Sequence, residues 1–310
     1  MWWFKELDIF LEKLAIPFER EVSLSRYTTI GIGGPARRVV FPQEKSTFLE
    51  LLNFLSERAI PYFVLGGGSN ILVSDRGYEG VVIAMKNLKG IEVLYRGEKL
   101  ILQALSGTRI KELVRTAIQE GYEGFEFLVG VPATLGGAIR MNAGAFGKET
   151  SSIVNKIELW DKGRLREIDS SEAFWSYRAF KQEGIIISAV LNFSKVEPHR
   201  LRERVMELWK KRRSTQPLGE KSFGSTFKNP PGGFAGAMIE QVGLKGYKWG
   251  EAKISERHAN FIVNTGKAKA EDVLALMKLA RKRVYETFGI WLEPEVHFLG
   301  FDNGKPLDEI

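Results

Sequence analysis

A glycine- and alanine-rich run at residues 127–147 constrains the fold of this chain more than any other feature. It reads Phe-Leu-Val-Gly-Val-Pro-Ala-Thr-Leu-Gly-Gly-Ala-Ile-Arg-Met-Asn-Ala-Gly-Ala-Phe-Gly, with five glycines, four alanines and a single cation. We interpret this run as a loop rather than an amphipathic helix. Because glycine lacks a Cβ and permits positive φ, such a loop lets the backbone approach a flat or polyanionic ligand closely.

A second glycine run follows an apolar segment. Residues 62–65 have the composition of a buried strand, and residues 65–72 read Leu-Gly-Gly-Gly-Ser-Asn-Ile-Leu. A strand that leads into consecutive glycines offers N–H groups to a phosphate or pyrophosphate. Two such runs in one chain predict a large phosphorylated cofactor.

Length and composition indicate a globular enzyme of two domains. The chain has 310 residues, of which 44% are hydrophobic and 27% charged. No apolar run reaches the roughly 20 residues that span a bilayer, and the charged N-terminus does not resemble a signal peptide. The absence of cysteine excludes disulfides, thiolate nucleophiles and iron–sulfur clusters. These features predict a cytoplasmic enzyme with no membrane partner.

The net charge of +7 has an ordinary explanation. Much of the excess lies in the helical stretches 200–213 and 267–283, where charge usually marks a solvated face. The sequence lacks a nucleic-acid-binding module and interleaved aromatic residues, so we expect no nucleic-acid partner. An anionic small substrate, attracted by steering, suits the basic surface equally well.

The hydrophobic pattern predicts an α+β fold with a domain boundary near residue 196. The predicted helices cover 1–14, 46–58, 108–120, 200–213, 234–242 and 270–288. The predicted strands cover 62–65, 80–85, 91–95, 100–105, 153–160, 164–168, 185–193, 260–263 and 295–299.

Several common sites are absent from the sequence. The three histidines, at 199, 258 and 297, have no partner at metal-ligand spacing, so we expect no metal. The run at 66–71 lacks the Gly-Lys-Ser/Thr end of a P-loop. The glycines at 31–34 lack the third glycine and the strand–helix context of a dinucleotide fingerprint.

Three polar residues are candidates for chemistry. Ser225 lies between aromatic residues without a Gly-x-Ser-x-Gly elbow, so it suits proton donation to a basic carbon better than acyl transfer. Arg178 lies between aromatic residues, where a guanidinium favours a carboxylate or phosphate. Glu295 begins an apolar strand, where burial would raise its pKa. Taken singly, they also fit a turn serine, a snorkelling arginine and an edge charge.

Taken together, ordered blocks from about Tyr27 to Gly300 closely resemble the UDP-N-acetylenolpyruvoylglucosamine reductase family. The two glycine runs are among these blocks. The others are Thr-Thr-Ile-Gly-Ile-Gly-Gly-Pro-Ala (28–36), Tyr-Arg (177–178), Gly-Ser-Thr-Phe-Lys-Asn-Pro (224–230), Gly-Leu-Lys-Gly (243–246), Ser-Glu-Arg-His-Ala-Asn-Phe-Ile-Val-Asn (255–264) and Leu-Glu-Pro-Glu-Val (292–296). The lack of an insertion carrying a tyrosine between Tyr177 and Arg213 resembles the family's shorter subtype.

The resemblance implies a domain organisation and a cofactor. Residues 1–196 would form a two-part FAD-binding domain of the vanillyl-alcohol-oxidase type, with a break near 60–80. Residues 197–310 would form a substrate-binding domain whose last strand returns toward the flavin. The implied FAD contacts are Leu65, Gly66, Gly67, Gly68, Ser69, Asn70, Ile71, Gly130, Pro132, Ala133, Thr134, Gly136, Gly137, Arg140, Asn142, Ala143 and Gly144.

The resemblance also implies a reaction. NADPH would reduce FAD, and hydride would then pass to C3 of the enolpyruvyl ether of UDP-N-acetylglucosamine enolpyruvate, giving UDP-N-acetylmuramate for peptidoglycan. Arg178 and Glu295 would stabilise the enolic intermediate, and Ser225 would protonate C2. The implied substrate contacts are Tyr177, Arg212, Arg213, Lys228, Asn229, His258 and Asn260.

The sequence leaves two alternatives, which are another flavin oxidoreductase on this fold and a basic binding protein without flavin. We expect a monomer, although the sequence does not give the oligomeric state.

Three local departures from the family pattern bear on the site: Ala179-Phe180 after Arg178, Phe223-Gly224 before Ser225, and Ala104-Leu-Ser-Gly107 before the second helix.

Overall fold

The structure, a computed structural model, describes residues 3–304, 306 and 307, and has an α+β fold. Met1 and Trp2 of the predicted N-terminal helix, and residues 305 and 308–310 of the predicted second domain, lie outside the described residues. The helices are α1 (Trp3–Lys13), α2 (Lys45–Glu57), α3 (Ile110–Glu120), α4 (Leu135–Arg140), α5 (Pro198–Thr215), α6 (Ala235–Gln241) and α7 (Ala270–Phe288). None of these helices is long and apolar enough to span a membrane.

Twenty short strands accompany these helices in the described part of the chain. They are β1 (Phe18–Ser23), β2 (Pro35–Val40), β3 (Tyr62–Leu65), β4 (Ile71–Val73), β5 (Tyr78–Ala84), β6 (Ile91–Arg96), β7 (Lys99–Leu105), β8 (Tyr122–Glu123), β9 (Gly144–Ala145), β10 (Lys148–Glu149), β11 (Val154–Asp161), β12 (Arg164–Asp169), β13 (Trp175–Ser176), β14 (Ala179–Phe180), β15 (Ile185–Lys195), β16 (Lys221–Ser225), β17 (Lys248–Trp249), β18 (Ala252–Ile254), β19 (Phe261–Asn264) and β20 (His297–Leu299). One four-stranded sheet has the order β1-β2-β5-β3, with β3 and β5 parallel.

The chain folds into two compact units that alternate along the sequence. The first comprises the described residues within Met1–Glu19, Arg38–Gly67 and Gly80–Lys211, and the second those within Arg20–Arg37, Gly68–Glu79 and Arg212–Ile310. The main boundary therefore falls at 211/212, whereas the sequence analysis predicted it near 196. The first unit keeps α5 as far as Lys211, because only two residues separate the start of this helix at Pro198 from the end of β15, and its side chains Leu201 and Leu208 are buried.

The first unit contains two hydrophobic clusters. One is built on α1 and α2, with Leu7, Phe48 and Leu51 fully buried. The other lies on an antiparallel sheet of order β12-β11-β15-β7-β6, against which α3 and α4 pack; β8 pairs with β15. Gly121 ends α3 in the left-handed conformation, as its position after the predicted helix suggested.

The second unit is built on an antiparallel sheet of order β16-β19-β18-β17, with α6 and α7, and a parallel pair of β4 and β20. Two N-terminal segments complete it. Ile30, Ile32 and Leu72 are part of its hydrophobic cluster. Asp75 accepts the N–H of Ala270 at 3.0 Å and so caps α7. Segments 20–37 and 68–79 thus belong with the C-terminal residues through packing that the sequence analysis did not predict.

The run at 127–147 is not wholly a loop, which corrects the sequence interpretation. It contains the six-residue helix α4, whose N-cap residue Thr134 accepts the N–H of Gly137 through its Oγ1. Leu135, Ala138 and Ile139 are buried at helical spacing. The glycines hid this pattern, because glycine lowers helix propensity by about 1 kcal/mol relative to alanine.

Candidate active site

The first glycine run forms the loop between β3 and β4. Gly68 has φ +64°, and a Cβ at this position would overlap the carbonyl of Tyr27. Among the described residues, the N–H groups of Gly67, Gly68 and Ser69 donate no hydrogen bond to protein. Successive N–H groups around a left-handed residue form an anion-binding concavity, so this loop fits the diphosphate of a dinucleotide.

The second glycine run packs directly on the first. A Cβ on Gly66 would lie only 2.7 Å from Oγ1 of Thr134. The first N–H groups of α4 are used inside the first unit, since Leu135 donates to Thr108 and Gly136 to Ser106, each at 2.8 Å. The first N–H groups of α4 are therefore occupied by protein carbonyls, whereas the N–H groups that remain for a ligand belong to the 67–69 loop.

Arg140 and Asn142, which the resemblance assigns to FAD, hold the protein's own backbone. Arg140 donates to the carbonyls of Phe180, Gln182 and Gly184, and burial lowers its pKa. The amide of Asn142, buried and at φ +38°, donates to Glu149 at 2.9 Å and to a neighbouring carbonyl. These contacts fix the segment that carries Arg178, and direct FAD contact by either residue stays a prediction.

Arg178 has an unusual backbone conformation, with φ +57°. Its Nη1 donates to the carbonyl of Gly144 at 2.9 Å, and its guanidinium lies 5.2 Å from the ring centroid of Tyr177. Tyr177 is half exposed. A non-glycine residue at positive φ is a costly conformation that is frequent at functional sites. Arg178 and Gly144 both lie in the first unit.

Ser225 lies in the second unit at a β-bulge. Ser222 pairs with Val263 and Ser225 with Phe261, so three steps along β16 match two along β19. Gly224, inside the bulge, has φ +81°. Bulges re-aim side chains next to active sites, and this one ends the strand at Ser225.

Glu295 is joined to the same region of the second unit. Its N–H donates to the carbonyl of Thr226 at 2.9 Å, and its carbonyl accepts the amide of Asn70 at 3.0 Å. Asn70 also accepts the N–H of His297 at 3.1 Å. The second unit thus brings together the end of the first glycine run, the residue after Ser225, and Glu295.

Two predicted substrate residues have structural partners. Asn229 accepts the N–H of Ala235 at 3.1 Å and so stands at the start of α6. Asn260, which is 4% exposed, bonds the backbone of Phe227 with both ends of its carboxamide. Contact of these asparagines with substrate stays a prediction.

The remaining predicted substrate residues are cations and a histidine. Lys228 pairs with Glu293, while Arg212 is buried and donates to Gln216 at 3.1 Å. Arg213 is exposed. His258 accepts the N–H of Asn260 at Nδ1, so its Nε2 carries the proton, and burial together with nearby Lys245 lowers its pKa.

The sequence analysis gave no role to Thr29, which connects two parts of the site. Its N–H donates to the carbonyl of Gly68 at 2.9 Å, and its Oγ1 donates to the carbonyl of Ser222 at 2.6 Å. The only sequence signal was its place in the block at 28–36. Among the described residues no group of three or more acidic, histidine or cysteine side chains could hold a metal.

Comparison with known proteins decides the family. A sequence profile for an FAD binding domain matches residues 36–168, and one for the UDP-N-acetylenolpyruvoylglucosamine reductase C-terminal domain matches residues 216–299. The chain is 40% identical over 301 residues to the UDP-N-acetylenolpyruvoylglucosamine reductase of Caldicellulosiruptor bescii, which covers 95% of each protein. The chain belongs to the UDP-N-acetylenolpyruvoylglucosamine reductase family.

Two further relatives agree with this assignment. The reductase of Aquifex aeolicus is 40% identical, over 94% of this chain and 99% of that protein. The crystal structure of the reductase from Thermus caldophilus is similar with a TM-score of 0.79 and 34% identity, over 92% of this chain and 99% of that chain. The family resemblance is therefore confirmed, and the matched FAD binding domain contains both glycine runs.

Proposed function

We propose that this chain reduces the enolpyruvyl ether of UDP-N-acetylglucosamine enolpyruvate to UDP-N-acetylmuramate, a step of peptidoglycan precursor synthesis. NADPH would be the reductant. The observation that carries the proposal is the arrangement in the second unit, where Glu295 and the residue after Ser225 share a hydrogen bond next to Asn70. Family membership supplies the substrate class. Nucleotide-activated sugars and NADPH suggest a cytoplasmic location.

The first glycine run would hold FAD. The unused N–H groups of Gly67, Gly68 and Ser69 suit its diphosphate, and the tight contact between Gly66 and Thr134 keeps the two runs together. When bound, FAD supplies the transfer of hydride from the nicotinamide to C3 of the enolpyruvyl group.

Ser225 would supply the proton. Addition of hydride to C3 leaves an electron pair on C2 that is conjugated with the substrate carboxylate. Transfer of the Oγ proton of Ser225 to C2 forms the new C–H bond and completes the lactyl ether. A positioned proton donor of this kind contributes about 10²–10⁴-fold to the rate.

Charged groups would stabilise the enolic species before that transfer. The guanidinium of Arg178 suits the carboxylate end of the substrate, because guanidinium groups match carboxylate geometry. Glu295 would stabilise the enolic species as well, as the family resemblance implies. The Nε2–H of neutral His258 is available as a donor to a substrate oxygen, and exposed Arg213 suits the UDP diphosphate.

The test is an anaerobic stopped-flow experiment that follows flavin absorbance in two steps. NADPH should bleach the flavin, and the enolpyruvyl substrate should restore its absorbance. Ser225→Ala should slow the recovery about 10²–10⁴-fold and leave the bleaching unchanged. Ser222→Ala, a hydroxyl removed from the same strand, should change neither step.

Each other outcome rejects part of the proposal. Bleaching without recovery would reject the substrate. Rapid reoxidation of the reduced flavin when oxygen is admitted in place of the substrate would favour an oxidase. A purified protein without flavin absorbance, even after incubation with FAD, would reject the flavoenzyme.

A further inference from the structure

The segment that follows Ser225 is held by a side chain where the sheet ends. The ladder between β16 and β19 stops at the pair of Ser225 and Phe261. Asn260 directly precedes Phe261. Its Oδ1 accepts the N–H of Phe227 at 3.0 Å, and its Nδ2 donates to the carbonyl of Phe227 at 2.8 Å. Directly opposed residues of an antiparallel ladder exchange this same pair of bonds. The carboxamide therefore extends the ladder past the bulge.

The backbone of Asn260 contributes to the same contact. Its carbonyl accepts the N–H of Thr226 at 2.8 Å, and its own N–H donates to Nδ1 of His258 at 3.2 Å. The backbone N–H and C=O of Asn260 and the Oδ1 and Nδ2 atoms of its side chain therefore all form hydrogen bonds. The Asn260 side chain is only 4% exposed, and both its Oδ1 and its Nδ2 are bonded to the backbone of Phe227.

The opposite edge of the segment carries Glu295. The carbonyl of Thr226 accepts the N–H of Glu295 at 2.9 Å, and the N–H of Lys228 donates to the carbonyl of Glu293 at 2.8 Å. Phe227 also forms an isolated bridge with Pro294. The segment 226–228 therefore lies between Asn260 and the stretch 293–295, and a shift of the segment 226–228 moves both candidate catalytic residues.

We propose that Asn260 is a positioning residue that fixes the backbone of Thr226 and Phe227 and so sets the position of the Ser225 hydroxyl relative to C2 of the substrate. The inference rests on the proposed function, since it takes Ser225 as the proton donor. A displacement of about 1 Å at a reacting group costs on the order of 10²-fold in rate. Loss of this contact should therefore slow the recovery step by about 10–100-fold.

Asn260→Asp is the sharpest variant because it keeps the shape and changes one donor. An ionised carboxylate still accepts the Phe227 N–H but repels the Phe227 carbonyl. A protonated carboxyl donates to that carbonyl as the amide does, and burial raises the pKa of such a group. The recovery step should be slow at about pH 8 and regain most of its rate, relative to the unmodified protein, toward about pH 5.5.

Asn264→Asp is the matched control. Asn264 lies four positions further along the same polypeptide and is 7% exposed. Its Nδ2 donates to the carbonyl of Ile30 at 3.0 Å, and its Oδ1 accepts the N–H groups of Gly266 and Ala268. The substitution removes the same kind of donor from the last residue of β19, whereas Asn260 directly precedes this strand, and it does not touch the segment after Ser225.

Other titratable groups near Asn260 also affect how the recovery rate depends on pH, so the measured pH profiles must be corrected for them. These are His258 on the same turn, and Glu295 and the pair of Lys228 and Glu293 on the segments packed against Phe227. Each pH profile is therefore divided by that of the unmodified protein, which contains the same groups.

Two readouts separate positioning from a general loss of stability. In stopped flow, Asn260→Asp should slow the recovery at high pH while bleaching by NADPH keeps its rate. Asn264→Asp should change neither the recovery rate nor the bleaching rate relative to the unmodified protein. Hydrogen exchange of the peptide covering 222–228 should be faster in Asn260→Asp at high pH and unchanged in Asn264→Asp. The exchange experiment needs no substrate.

The outcomes distinguish this inference from the function on which it rests. If the unmodified protein does not turn over the enolpyruvyl substrate, or if Ser225→Ala keeps the recovery rate, the proposed function fails, while hydrogen exchange still tests the contact. If turnover is normal and Asn260→Asp leaves the recovery unchanged, slows bleaching equally, or shows no regain at low pH, the positioning role is overturned. An equal effect of Asn264→Asp would overturn it too.

Discussion

Replacement of Gly144 by alanine tests how Arg178 is held. A Cβ at residue 144 would lie 2.8 Å from the carbonyl oxygen of Lys148 and 3.1 Å from Nη1 of Arg178. The Lys148 carbonyl belongs to β10, which pairs with β9, so the backbone there resists movement. The freer neighbours are two side chains, the guanidinium of Arg178 and Cγ of Glu149, which would lie 3.0 Å from the new Cβ. Since ordinary contact begins at 3.4 Å, both must withdraw by a few tenths of an ångström.

The size of the effect follows from that displacement. If about 1 Å costs on the order of 10²-fold, then a shift of roughly 0.3–0.5 Å costs about 4- to 10-fold in the step that Arg178 assists. Overpacking should lower the free energy of unfolding by about 1–3 kcal/mol. Reduced entropy of the unfolded chain offsets about 0.4–1 kcal/mol of this loss. We therefore expect a folded protein with a selective kinetic defect.

The assay is the same two-step flavin experiment, combined with titration of FAD. Gly144→Ala should slow recovery with the enolpyruvyl substrate and leave both FAD affinity and bleaching by NADPH unchanged. Gly90→Ala is the control, since its Cβ would meet only Leu105, at an ordinary 3.6 Å. Weaker FAD binding with equal slowing of both steps would refute the reasoning, because Gly144 would then act through the flavin.

Three further predictions concern stability. Arg38 is buried and forms an ion pair at 2.6 Å with the largely buried Asp8, so Asp8→Asn should lower the free energy of unfolding by about 3 kcal/mol in urea titrations, and a change below about 1 kcal/mol would contradict this. Because burial holds the pKa of His258 below that of the unfolded chain, the unfolded state binds more protons as pH falls below about 6.5. Stability should therefore fall there, and His258→Gln should flatten this part of the melting-temperature profile between about pH 7.5 and 5.5; an unchanged slope would argue against it. Oγ1 of Thr226 is buried without a partner among the described residues, so Thr226→Val should raise the free energy of unfolding by about 1 kcal/mol; destabilisation would indicate a missed hydrogen bond.

Elements with a strong local signal could be predicted closely from the sequence. The helix at 270–288 and the strand at 62–65 have the predicted bounds. The first has helical apolar spacing over 19 residues, and the second is a short apolar run that ends in glycines. By contrast, β1 has only one buried residue, Val22, and the alternating charges of this strand concealed it.

Long-range features could not be predicted in this way. The assignment of segments 20–37 and 68–79 to the second unit depends on packing partners about 200 residues away, as the contact between Asp75 and Ala270 illustrates. The carboxamide of Asn260 has the same character, since no local pattern indicates that its partner is Phe227.

In the candidate site, too, features with a local sequence signal could be predicted and features that depend on distant contacts could not. Glycine content alone indicated the diphosphate loop, whereas Ser225, Arg178 and Glu295 each had an ordinary alternative until the family resemblance connected them. Local sequence did not reveal that the first N–H groups of α4 are bonded to the carbonyls of Thr108 and Ser106, because these hydrogen bonds depend on the tertiary fold.

The alternation of the two units along the chain limits how this protein can be divided or recombined. The polypeptide passes from one unit to the other five times, at 19/20, 37/38, 67/68, 79/80 and 211/212. A fragment that begins at Arg212 would lack Ile30, Ile32 and Leu72 from its hydrophobic cluster and the carboxylate that caps α7. Exchange of the C-terminal region between relatives must therefore carry the segments 20–37 and 68–79 with it.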